Sequence, residues 1–138
     1  MKIEQKRWSE ANGWEPDLSS RLGESAQLVL LFGSTSILKE EKCVDEIKMV
    51  YPRAHLLGCS TAGEICGTQV TDDSLIATAV HFEHTRLFGA RIKISETDSS
   101  FSAGEYLAKS LDKKGLAHVL VLSDGLKPRI KGKITPRS

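Results

Sequence analysis

Three short turns hold most of the side chains in this sequence that can bind or react. They are Gly33-Ser34-Thr35-Ser36, Gly58-Cys59-Ser60-Thr61-Ala62-Gly63-Glu64 and Ser123-Asp124-Gly125, and each follows an apolar run. Glycine lets backbone N–H groups come close to a ligand, and hydroxyls either donate or accept. Such turns suit a carboxylate or a phosphate. Glu64 and Asp124 can meet an ammonium group, so Ser34, Cys59, Ser60, Thr61, Gly63, Glu64 and Asp124 together outline a site for a zwitterion. Gly63 is expected at a left-handed position that tolerates no side chain, because Ala62-Gly63-Glu64 has to turn away from the sheet edge. Turns of this composition end strands in any α/β protein, since they permit tight bends. The weight lies in three coinciding. No loop has the G-x-x-x-x-G-K-[ST] or G-x-G-x-x-G spacing of nucleotide cradles.

Other chemistries fit less well. A nucleophilic Cys59 needs a base or a positive field to lower its pKa. His55 shares its strand face but stands about 13 Å away along an extended chain. Recognition, not catalysis, is the reading. His81 and His84 point to opposite faces of a strand and make a weak pair for a metal or haem; they are expected as solvated residues of a hairpin turn. Cys43, Cys59 and Cys66 have neither zinc spacing nor the regularity of a disulfide framework, which suits free thiols in a reducing cytoplasm. Trp8 and Trp14 are read as packing anchors.

The elements that hold these turns follow from periodicity. Gln27–Gly33 is an unbroken apolar run of strand length, as in a covered α/β sheet. Lys39 to Val50 places Cys43, Val44, Ile47, Val50 and Tyr51 on one helical stripe, and Pro52 stops it. A second buried strand is expected at His55–Gly58, which completes a βαβ unit. Ser74–Phe82 and Thr85–Ile94 alternate, with Glu83-His84 between them, and predict an antiparallel hairpin. A helix follows, with Phe101, Leu107, Ala108 and Leu111 on one stripe and Ser102 with Glu105 as a capping box. His118–Gly125 is a third buried strand. Trp14, Leu18 and Leu22 suggest a short helix over 15–24. The fold class is α/β: a mixed sheet of about five strands with a βαβ unit, an antiparallel hairpin and flanking helices. If the three apolar strands are parallel, all three turns share one carboxyl edge, where open α/β sheets bind ligands.

Composition bounds the function. The chain has 138 residues and a net charge of +1, which suits one domain and argues against a dedicated nucleic-acid binder. The last twelve residues carry five basic side chains and no acid, and residues 127–138 are expected as a disordered tail. No apolar run approaches the ~20 residues of a membrane span, and no signal peptide stands at the start.

LVLLFGS (28–34), YPRAHLLGCSTAGEICG (51–67) and HVLVLSDGL (118–126) together resemble the FIST N-terminal domain, and GCSTAGEI is the most specific stretch. The resemblance covers about residues 5–126. It implies an intracellular sensory module of signal transduction, with amino acids or similar metabolites as ligands. It also implies a C-terminal FIST or histidine-kinase partner, and in some relatives a haem that responds to nitric oxide. After residue 126 the chain departs from the family pattern, which continues with an Asn-Gly-Ser-like turn; the domain is read as 1–126, incomplete.

Overall fold

Strand β1 (Lys2–Ser9) has no apolar periodicity, yet it pairs along its whole length with β7 (Ser74–His81). Its inward residues are Glu4, Lys6 and Trp8, opposite Ala79, Ala77 and Leu75. Lys6 is 2% exposed. A lysine is rarely that buried unless paired, and here its ammonium donates to the carbonyls of Asp17 and Ser19, both at 2.6 Å, with Glu4 Oε1 at 3.6 Å. A computed structural model describes residues 1–123. The chain divides into two compact units, Met1–Leu87 and a second that begins at Phe88.

In the first unit, β2 (Gly13–Glu15), β3 (Leu28–Gly33) and β4 (His55–Ser60) complete a five-stranded sheet with the order β2-β1-β7-β3-β4. β3 and β4 are parallel and every other pairing is antiparallel, so the sheet is mixed, as expected. Between β3 and β4 lie α1 (Thr35–Lys39) and α2 (Lys42–Val50), the crossover of the βαβ unit. The expected helix over 39–50 is thus two, broken at Glu41, which has a left-handed φ of 56°. Its stripe is correct: Cys43, Ile47 and Tyr51 are buried, and Val44 and Val50 pack beside them. They meet Val29 and Leu31 of β3 and Leu75, Ala77 and Ala79 of β7 in the core. A small second sheet pairs β5 (Glu64–Cys66) with β6 (Gln69–Thr71) around Gly67, whose φ is +62°.

Several expectations are corrected. No hairpin joins Ser74–Phe82 to Thr85–Ile94, because both edges of β7 are taken by β1 and β3. Residues 85–93 form no strand. The expected helix over 15–24 is absent. Trp14 lies in β2 opposite Trp8, and Asp17 and Ser20 accept nearby backbone N–H groups in local turns that compete with a helix. Leu18 and Leu22 still reach the core. β4 is not a buried strand: His55, Gly58, Cys59 and Ser60 are exposed, and no strand pairs on its far side among the described residues.

In the second unit, α3 (Ser100–Ser110) starts at Ser99, whose Oγ accepts from the Ser102 amide at 3.1 Å. The cap is therefore Ser99, and Glu105 instead pairs with Lys109. Ala103 is the buried position of this helix, while Phe101 is exposed. Residues 118–123 form no strand, and Val119, Leu120 and Val121 are exposed. An apolar run is only half of a strand; the other half is a ladder partner, and no described residue supplies one. Asp124, Gly125 and the expected tail, 127–138, lie outside the described residues.

Candidate functional site

The parallel pairing of β3 and β4 sets Gly33 beside Ser60, so the turns that follow both strands leave the sheet at one edge. β7 runs the other way, and its first residues, Ser74 and Leu75, reach the same edge. Three strand ends meet there. Backbone hydrogen bonds fasten them: the Thr61 amide donates to Gly33 O and the Ser34 amide to Ser74 O, both at 3.0 Å. Close approach is required at two glycines. A Cβ on Gly58 would stand 2.0 Å from the Leu31 carbonyl oxygen, and one on Gly33 would stand 2.8 Å from Ser74 O.

Of the residues singled out from sequence, Ser34, Ser60, Thr61 and Glu64 come to this edge. Ser34 Oγ lies 2.9 Å from Ser36 Oγ, and Ser60 is exposed. Cys59 is an exposed free thiol one residue before the strand end. Glu64 is 1% exposed, with both carboxyl oxygens engaged. Oε1 accepts from Thr61 Oγ1 at 2.7 Å; Oε2 accepts from Ser74 Oγ at 2.8 Å and from the Ser74 amide at 3.2 Å. Thr71 Oγ1 backs the Ser74 hydroxyl at 2.8 Å. Gly63 does not have a positive φ, and a Cβ there meets Val70 and Asp72 only at ordinary contact distances, 3.4 and 3.6 Å. The expectation of an intolerant Gly63 is overturned: the left-handed bend of this region falls on Gly67 and Asp73. Asp124 lies outside the described residues.

Ser74 was missed in the sequence. It reads there as the first residue of an alternating strand, and only the packing of β5 beside β7 reveals it as a hub. His81, the last residue of β7, bonds the Ser25 carbonyl through Nδ1 at 2.7 Å, and His84 follows in an exposed loop; they lie at the opposite end of the sheet. A concavity of about 300 Å³ lined by Met1, Phe82, Glu83, His84 and Thr85 also lies at that end. The second unit has a concavity of about 450 Å³, whose lining includes Arg91, Glu96, Asp98, Ser102 and Tyr106. Among the described residues, no group of three or more His, Cys, Asp or Glu side chains is placed to hold a metal ion.

Burial pushes the Cys43 thiol up to about 11, with Glu46 adding to the effect, so it is a packing residue. No helix among the described residues is long and apolar enough to cross a membrane. No curated protein and no solved structure matches the chain. The family model described as the FIST N domain matches residues 27–134, which takes in β3 to β7, α3 and all three turns, and the chain belongs to this family of sensory signal-transduction domains.

Proposed function

We propose that the chain is the ligand-sensing part of a cytoplasmic signalling protein, and that it takes a small zwitterionic metabolite, such as an amino acid, at the carboxyl edge of β3 and β4. The parallel pairing of these strands is the observation that carries the reading, because it puts the Ser34 and Ser60 turns side by side. Hydroxyls of Ser34, Ser36 and Ser60, with the backbone N–H groups of Ser60, Ala62 and Gly63, are the donors for a carboxylate. Cys59 is a neighbour of the ligand, not a nucleophile. The role is recognition without catalysis and without a bound cofactor, and the signal passes to a C-terminal FIST or kinase domain. Nucleic acid and membrane are not partners.

Thermal unfolding in the presence of each of the twenty amino acids at millimolar concentration tests this reading. A ligand that binds only the native state stabilises it by RT ln(1 + [L]/Kd), about 2.7 kcal/mol at a hundredfold excess over Kd. A rise in Tm confined to one chemical class supports the site, and its loss in Ser60→Ala with Ser34→Ala locates it. No rise with any amino acid, together with a Soret band on adding haemin, overturns it in favour of a haem-based gas sensor.

A further inference from the structure

We infer that Glu64 is the positioning residue of this edge: a buried clamp that fixes the strand-end turns relative to one another, and not a ligand contact. The role as a clamp for that site rests on the reading above; the clamp itself is a property of the unliganded protein. The hydrogen bonds form a closed circuit. The Thr61 amide binds Gly33 O, the Thr61 hydroxyl binds Glu64, Glu64 binds the amide and hydroxyl of Ser74, and Ser74 O binds the Ser34 amide. Gly33 and Ser34 are adjacent, so the circuit joins the ends of β3 and β4 and the start of β7 through one carboxyl group. At 1% exposure Glu64 has no surface to offer a ligand. No cation lies within ion-pairing distance of it among the described residues, and its partners are neutral donors. A carboxyl group placed to hold charge on a ligand would be solvated and open on one side; this one is closed by its own fold.

This arrangement predicts which substitution is tolerated. Glutamine has one acceptor and one donor group at the same positions. Its oxygen can take the Ser74 amide, and its NH₂ can donate to Thr61 Oγ1, because a hydroxyl serves in either direction. Glu64→Gln should therefore keep the clamp, and Glu64→Ala should release it.

Native-state amide hydrogen exchange on the full chain, without ligand, reads this directly. In Glu64→Ala the Ser34, Thr61 and Ser74 amides should exchange at least tenfold faster, while the Tyr51 amide, bonded to Ile47 O at 2.9 Å in α2, stays unchanged. In Glu64→Gln all four should stay within about twofold of the parent. If Glu64→Ala does not fold, Thr61→Val, which removes only the hydroxyl, should accelerate exchange around position 61 alone, read at the Ser34 and residue-61 amides. Unchanged exchange in Glu64→Ala, or in Thr61→Val where that variant replaces it, overturns the clamp. So does Glu64→Gln exchanging as fast as Glu64→Ala. Failure of every amino acid to raise Tm leaves these rates as they are, so the ligand reading and the clamp fail separately.

Discussion

Two buried carboxyl groups anchor the first unit, and they are held in different ways. Glu4, on β1, has the Lys6 ammonium at 3.6 Å, the Tyr51 hydroxyl at 2.5 Å and the Arg21 amide at 3.0 Å. Glu64, at the opposite side of β7, has only hydroxyls and one amide. Burial works to raise the Glu4 pKa, but hydrogen bonds from Tyr51, Ser20 and the Arg21 amide, with the Lys6 charge, bring it below its ordinary 4.5. Burial and the bond to Glu4 push the Tyr51 phenol well above its usual range. The first group is a charge cluster that staples the 17–21 loop onto the sheet. The second is a neutral-donor network that spaces three strand ends. One holds the core closed and the other sets the shape of an edge.

The largest effect should come from breaking the charge cluster. Lys6→Met leaves Glu4 without its cation and the Asp17 and Ser19 carbonyls without their donor, and the loss of stability in urea unfolding should be about 3–5 kcal/mol. A change under 1 kcal/mol would show that the cluster is open to water.

The sharper contrast is between two identical substitutions. Glu4→Gln removes half of an ion pair and should cost about 1.5–3 kcal/mol, whereas Glu64→Gln should cost less than about 1 kcal/mol. Because the folded pKa of Glu4 is depressed, its contribution is present in full above the ordinary value of 4.5 and is lost as pH falls from there through the lower folded value. Parent stability should therefore decline in that window, with a shallower decline in Glu4→Gln. Equal slopes in parent and variant would remove Glu4 as its source.

The smallest effect is expected at Gly63. Gly63→Ala should change stability by no more than about 0.5 kcal/mol, since no contact is closer than 3.4 Å and no positive φ is involved. Gly58→Ala should be clearly destabilising in the same assay, because its Cβ cannot coexist with the Leu31 carbonyl. Similar losses in the two variants would contradict the spacing of β3 and β4.

What could be read in the sequence follows from the same physics. β3 is legible as an unbroken apolar run of strand length, and the stripe of α2 because its apolar residues recur at the helical period. β1 is not, since its inward face carries Glu4 and Lys6, and charge reads as solvent-facing until the partners that compensate it are in place. The expected 74–94 hairpin fails for a topological reason: alternation marks a strand but does not say which neighbour takes its edges, and β7 is claimed on both sides. At the candidate site, the Ser34 and Ser60 turns were legible as strand ends. The inward turn of Glu64 was not, because nothing in Ala62-Gly63-Glu64 announces that Ser74, ten residues on, will hold its side chain.

The placement of β7 has a consequence for how the molecule is made. It is the central strand of the sheet, yet the last of that sheet to leave the ribosome, and its pairings with β1 join residues about 65 to 80 positions apart. At roughly 5–20 residues per second, β1 waits several seconds for its neighbour, with only the three-residue β2 to pair with in the meantime. Contacts this distant in sequence slow the folding step itself. During synthesis the N-terminal ribbon is thus a sticky, unfinished edge, and its charged composition, with Lys2, Glu4, Lys6 and Arg7 in succession, is the kind that keeps such an edge from pairing with the wrong chain.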